Sequence, residues 1–244
     1  MQNNHLLKGK KVLITGASSG IGRSTALALA QMGCDILVTS RRHSELEKLA
    51  LECQALGARI EISAGDLNNP SYVEELALKA GDVDILINSA GVLTYAPILE
   101  MTAKECMDMF NTNVLATFAL TSEIARSMVK RKSGHIVMIT STAAREVYKL
   151  GGVYCATKHA LSAITRSLRL ELQGSGIRVT EIAPGMVDTP IRDTSNHPAV
   201  LAAIKARTIK ALTPQEVAQS VVYAIQTDFN CCSDLIELRP RGAA

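Results

Sequence analysis

Short apolar runs alternate with longer stretches of helical period along this chain. The runs at residues 12–15, 35–40, 60–63, 85–88, 135–140, 179–183 and 235–238 are four to six residues long and nearly continuous in hydrophobicity. That pattern predicts seven strands buried on both faces. Between them, apolar side chains recur at helical spacing. Phe110, Val114, Phe118, Thr121, Ala125 and Met128 follow in steps of four, four, three, four and three, which predicts one helix over 105–131. Leu161, Ile164, Leu168 and Leu172 predict another over 153–173, closed by Gly174 and Gly176. Strand and helix in alternation make an α/β fold with a parallel sheet, and right-handed crossovers put helices on both of its faces. No Pro/Gly/Ser-rich linker, repeat or low-complexity tract divides residues 1–244, so they are expected to form a single domain.

Composition narrows the class. Hydrophobic residues make up 47% of the 244 and charged residues 20%, which suits a packed core and excludes a disordered chain. The formal net charge is +3, with basic and acidic residues interspersed. No cationic run marks a nucleic-acid footprint or a membrane-surface patch. The polar start MQNNHLLKGKK and the short run KVLIT fit neither a secretory signal nor a membrane span, and the expectation is a cytoplasmic protein. Cys34, Cys53, Cys106, Cys155, Cys231 and Cys232 show no C-x-x-C spacing and no companion histidine pattern. They are expected to be free thiols, with no metal site.

Candidate chemistry begins after the first strand. In KVLITGASSGIGRSTALALA, Gly16, Gly20 and Gly22 lie between an apolar strand and an amphipathic helix. Small residues there let the backbone approach a pyrophosphate, while the helix N-terminus offers unpaired N–H groups. The end of the second strand reads Ser40, Arg41, Arg42, with no carboxylate until Glu45. Guanidinium groups suit a 2′-phosphate where a carboxylate would repel it, which favours NADP(H) over NAD. Tyr154 and Lys158 stand four positions apart, just over one helical turn, so their side chains leave the same face. That geometry permits a reactive pair without requiring one.

In order and spacing these stretches resemble the short-chain dehydrogenase/reductase family over nearly the whole chain. TGASSGIG at 15–22 is similar to its cofactor turn, NSAG at 88–91 to its N-N-A-G element and PGMVDT at 184–189 to its P-G-x-x-x-T clamp. NTNV at 111–114 supplies Asn113. MITST at 138–142 supplies Ser141, thirteen positions before the Tyr154 of Y-x-x-x-K. Two departures stand out: Ser89 replaces the second asparagine of N-N-A-G, and Ala116 stands where a glycine commonly follows the asparagine motif.

The resemblance implies a Rossmann-type, doubly wound seven-stranded parallel sheet and an NADP(H)-dependent interconversion of a carbonyl and an alcohol. Tyr154 would exchange the proton, Lys158 together with the positive charge of the oxidised cofactor would lower the tyrosine pKa, Lys158 would also bond the nicotinamide ribose, Ser141 would hold the carbonyl oxygen and Asn113 would position a water. The implied cofactor residues are Gly16, Ser18, Ser19, Gly20, Ile21, Gly22, Ser40, Arg41, Arg42, Asp66, Leu67, Asn88, Ala90, Gly91, Tyr154, Lys158, Pro184, Gly185, Val187 and Thr189. Residues 91–96, 143–152 and a lid at about 186–210 would face a small-molecule carbonyl or alcohol substrate. Arg145, Glu146, Tyr148 and Arg192 make that rim polar, and STAAREVYKLGGVYCATKHAL is most similar to the subgroup acting on small hydroxy acids and carbonyls. Copies are expected to associate through 105–131 and 153–173 as a dimer or tetramer. A 3-oxoacyl-thioester reductase, docking its carrier on Arg192, Lys205, Arg207 and Lys210, is the alternative. A catalytically silent NADP-binding sensor is the third reading.

Overall fold

All seven expected strands form, and they pair in parallel in the order β3-β2-β1-β4-β5-β6-β7. The computed structural model describes residues 7–206, 208–228 and 230–242, with only the backbone of Arg192 and Asp193. Alternation along β1 (Lys11–Thr15) shows how the layers arise. Val12 and Ile14 turn to one face of the sheet and Leu13 to the other, as a period of two requires. The first face is covered by α1 (Gly20–Gln31), α2 (His43–Ala55) and α7 (Pro214–Ile225). The second is covered by α3 (Pro70–Ala80), α5 (Thr117–Arg131) and α6 (Gly152–Glu171). Both cores are built mainly from Leu, Ile and Val, which explains why the strands read as apolar runs without alternation.

The remaining strands are β2 (Asp35–Ser40), β3 (Ile60–Ala64), β4 (Ile85–Asn88), β5 (Gly134–Ile139), β6 (Ile177–Pro184) and β7 (Leu235–Leu238). Because β1 pairs with both β2 and β4, the strand order reverses there. The loops at the carboxyl ends of β1 and β4 therefore open a crevice, the usual ligand position of such sheets.

One helix departs from expectation. The span expected as a single helix over 105–131 consists of α4 (Ala103–Phe110), a π-helical turn at Asn111–Ala116, and α5. The wide turn is marked by Thr117, whose hydroxyl donates to the carbonyl of Thr112 five residues back. An inserted residue widens the turn and changes the phase between the two helices it joins. Val114, Thr121, Ala125 and Met128 are buried as the stripe predicts, but Phe118 is 46% exposed, and Leu120 and Ile124 pack inward in its place. Among the described residues no helix is long and apolar enough to cross a membrane.

Candidate active site

The crevice is lined at one end by Gly16, Ser18, Ser19, Gly20 and Ile21. Gly16 holds φ at +66°, and a Cβ there would lie 2.8 Å from the backbone of Ala90. Gly22 packs so closely on the carbonyl of Gly16 that a Cβ would stand 2.6 Å from it. The turn is thus folded back on itself. Thr15 fastens it to the neighbouring loop, its Oγ1 accepting from the N–H groups of Ser89 and Ala90 at 3.1 and 3.0 Å. That loop is held through Thr15 and backbone N–H groups, so serine at 89 leaves the turn intact. Ser19, the N-cap of α1, forms no side-chain cap, so the first N–H groups of the helix remain directed at the crevice.

Positive charge lies at the same end. Arg42 donates from Nη2 to Ser18 Oγ at 2.8 Å and to Ser19 Oγ at 2.6 Å, and from Nε to Ser18 Oγ at 3.1 Å. Ser40 and Arg41 also line the crevice, but it is Arg42 that reaches across to the glycine turn. An approachable backbone, a free helix N-terminus and a guanidinium make a donor set that fits the phosphates of a dinucleotide. Asp66, Leu67, Ala90, Gly91 and Thr189 line the wall as expected. Asp66 accepts from the backbone and side chain of Asn68 at 3.0 Å, while Asn69 caps α3. Asn88, Pro184, Gly185 and Val187, also expected at the cofactor, do not line the crevice. Asn88 is buried and donates to Thr121 Oγ1 at 2.9 Å, and Val187 bridges to Leu212.

Gly91 is where the crevice meets the second cluster. A Cβ on it would lie 3.3 Å from Asn113 Oδ1 and 3.9 Å from Lys158 Nζ. Asn113 sits in the π-helical turn, which carries its side chain inward. Its amide clasps Val92 from both sides, accepting from the N–H at 2.8 Å and donating to the carbonyl at 2.9 Å, and also donates to Thr157 Oγ1 at 3.1 Å. Both amide donors are therefore engaged. Positioning of residue 92 is its visible role here.

Ser141 follows β5 at the head of a short 3-10 turn, Thr142–Ala144, and its Oγ accepts from Ala143 N at 3.1 Å. Tyr154 and Lys158 emerge from the first turns of α6, 8% and 5% exposed. Lys158 Nζ donates to the Ile139 carbonyl at 3.1 Å and lies 5.8 Å from the Tyr154 ring centroid.

Burial dominates the electrostatics of the pair. It pushes the Lys158 ammonium down to about 8, with the Glu181 carboxylate opposing the shift. It also raises the Tyr154 phenol well above the ordinary tyrosine value, helped by Tyr95, while Ser141 pulls it back. The expectation that Lys158 lowers the tyrosine pKa is thus not met by the chain alone. The ammonium bonds the Ile139 carbonyl and faces the ring, and desolvation of the phenolate outweighs any pull it exerts.

Sheet order, glycine turn and inward-facing cluster agree with one known group of proteins, whose short chain dehydrogenase model matches residues 10–199. The chain belongs to the short-chain dehydrogenases. This dehydrogenase is 34% identical over 229 residues to an NADP-dependent 3-hydroxy acid dehydrogenase of Schizosaccharomyces pombe, covering 90% of this chain and 88% of that one. It is 35% identical over 239 residues to an uncharacterised oxidoreductase of Staphylococcus saprophyticus, covering 96% and 98%. Among solved structures it superposes on a serine dehydrogenase in its closed form complexed with NADP+, with a TM-score of 0.86, 30% identity and 93% of each chain covered.

The rim of the dehydrogenase differs from its sequence reading. Arg145 and Glu146 are tied into ion pairs with Glu181 and Arg239, and Tyr148 bonds Thr142. The side chain of Arg192 and the whole of Arg207 lie outside the described residues; Lys205 and Lys210 are exposed. Three contacts hold the expected lid segment to the 93–100 loop. Thr194 donates to the Leu93 carbonyl, Ser195 Oγ accepts from Tyr95 N at 2.8 Å, and His197 Nε2 lies 2.9 Å from Glu100 Oε2.

Glu181 escaped the sequence reading, and Tyr95 entered it only as one of residues 91–96. Tyr95 meets Tyr154 edge to face with centroids 5.9 Å apart, a contact across a loop that no spacing rule detects. Glu181 left a signal: a lone carboxylate inside the apolar run VTEIA.

Proposed function

We propose that this dehydrogenase is an NADP(H)-dependent oxidoreductase that interconverts small hydroxy acids and their carbonyl counterparts. The observation that carries the reading is the meeting of Ser141, Tyr154 and Lys158 beside Gly91, where the dinucleotide crevice ends. When bound, a nicotinamide cofactor supplies the hydride accepted at the carbonyl carbon. Ser18, Ser19, the N-terminus of α1 and Arg42 would hold its phosphates, and Arg42 favours the form with a 2′-phosphate.

The chain's own groups manage the oxygen. Ser141 donates a hydrogen bond to the substrate oxygen as negative charge develops. Tyr154 gives that oxygen its phenolic proton. Burial keeps the phenol protonated at neutral pH, as a donor requires, and Lys158 provides the positive charge that the resulting phenolate needs nearby. In the alcohol-oxidising direction the phenolate takes the proton back.

Substrate class is supported by the relatives that act on a 3-hydroxy acid and on serine. A small ligand agrees with the packing of Tyr95, Tyr148 and Ile191 against the cluster that contains Tyr154. Association of copies is supported by Met107, Leu115 and Phe118, which are exposed on α4, the π-helical turn and α5.

The test is a titration with NADPH and NADH, followed by turnover, read by nicotinamide absorbance, on 3-hydroxy acids, serine, small ketones and acyl thioesters. Preference for NADPH with turnover of hydroxy acids is expected. Turnover of acyl thioesters alone would replace the substrate assignment, and binding without turnover of any class would defeat the catalytic reading.

A further inference from the structure

One buried carboxylate belongs to none of the motifs. Glu181 stands in the middle of β6, 1% exposed, in a strand covered on both faces. A carboxylate there demands charge and hydrogen-bond partners. Thr140 donates to Oε1 at 2.7 Å, Ser162 donates to Oε2 at 3.1 Å, and Arg145 Nη2 lies 3.0 Å from Oε1.

Each partner adjoins the active site. Thr140 stands between Ser141 and Ile139, whose carbonyl receives Lys158 Nζ. Ser162 lies one turn beyond Lys158 on α6. Arg145 ends the short turn that Ser141 caps. From Arg145 the charges continue outward with alternating sign. Arg145 Nε is 3.8 Å from Glu237 Oε2 on β7, Arg239 Nη2 is 2.7 Å from Glu237 Oε1, and Arg239 also pairs with Glu146.

Lys158 has few other neighbours to balance its charge. Tyr154 presents a ring face from α6, Asn113 a neutral amide from the π-helical turn, Gly91 bare backbone from the loop after β4, and Ile139 a carbonyl at the end of β5. From β6 comes Glu181, the carboxylate whose field acts on the ammonium.

We propose that Glu181 is a positioning residue for the reaction, the counter-charge of Lys158 and, through Thr140 and Arg145, the anchor of the turn that carries Ser141. This rests on the roles given above to Lys158 and Tyr154. Arg145 has the complementary task of balancing the carboxylate from the other side. Neither group touches the reacting atoms.

The experiment replaces the charge and keeps the shape: Glu181→Gln, with Lys158 followed by NMR in protein carrying lysine labelled with carbon-13 at Cε and assigned by its loss in Lys158→Met. Expected is a downward move of the Lys158 titration by about one pH unit or more. Carbonyl reduction should then fall about fivefold at pH 8, where the charged fraction drops from a half to about a tenth, and recover toward pH 6. Purely structural damage has no reason to recover with acid.

An unmoved Lys158 titration overturns the inference whatever turnover does, as does a loss of equal size at every pH. Should Glu181→Gln fail to fold, the double variant Glu181→Met, Arg145→Met removes the buried carboxylate together with its partly exposed partner at similar volume and is read in the same way. Absence of turnover in the unsubstituted protein defeats the proposed function, yet the Lys158 titration still decides whether Glu181 is its counter-charge.

Discussion

Replacing Lys158 by methionine should stabilise the protein while abolishing turnover. The lysine is 5% exposed, and burial takes its pKa from 10.5 to about 8. That gap corresponds to about 3 kcal/mol borne by the folded state at neutral pH. Methionine keeps the apolar stem but leaves the Ile139 carbonyl without its donor, a loss of about 1 kcal/mol. The net gain is therefore about 2 kcal/mol. Its pH dependence is the sharper test, because the folded pKa lies below the unfolded one. Below pH 8 the lysine is charged in both states, and the full penalty applies. Between pH 8 and 10.5 the folded protein sheds the proton while the unfolded chain keeps it, so the stability of the unsubstituted protein rises with pH. The advantage of Lys158→Met should shrink through that window, vanish before its upper end and reverse there by about 1 kcal/mol, the hydrogen bond to Ile139 that methionine lacks. Urea unfolding of both proteins at three pH values, followed by circular dichroism, measures it. A variant that is less stable at pH 7, or whose advantage is the same at all three values, would refute the reasoning.

Other substitutions separate the remaining roles. Tyr154→Phe should abolish turnover and leave NADPH affinity within a few-fold; appreciable residual reductase activity removes the tyrosine from the proton path. Arg42→Ala should weaken NADPH at least tenfold and NADH little, and Arg41→Ala should have the smaller effect, since Arg42 spans Ser18 and Ser19. Equal losses for both nucleotides, by fluorescence titration, would place the 2′-phosphate elsewhere. His135 is buried beside Thr180 with its pKa pushed down to about 3 by burial and by Arg178. Stability should therefore fall as pH drops from 6.5 toward 3, because the unfolded chain takes up a proton that the folded one refuses. His135→Asn should flatten that acid limb in thermal melts, and an unchanged slope argues against it. Phe118→Asp, on the exposed side of α5, should shift the protein to a smaller species in sedimentation; an unchanged mass would free that face from any role in association.

Much of this molecule was written in local patterns. Seven apolar runs became seven strands because a strand covered on both faces must be hydrophobic throughout, a property visible one residue at a time. The glycine turn was equally legible, since Gly16 and Gly22 stand where any Cβ would strike the backbone. Tyr154 and Lys158 shared a face because one helical turn puts them there. Beyond such local rules the chain was silent. The π-helical turn at Asn111–Ala116 inserts a residue that hydrophobic spacing alone does not announce, and Asn113 is buried within it. Which arginine crosses to the glycine turn depends on how α2 begins relative to that turn, and it is Arg42. The charge on Lys158 depends on a carboxylate 23 positions away in sequence, brought beneath α6 by the pairing of β5 with β6. Sequence determined which side chains were present and which local face each would take. Only tertiary packing decided how far water was excluded from them and which charges would meet, because desolvation and Coulomb interaction follow distance in space and not separation along the chain.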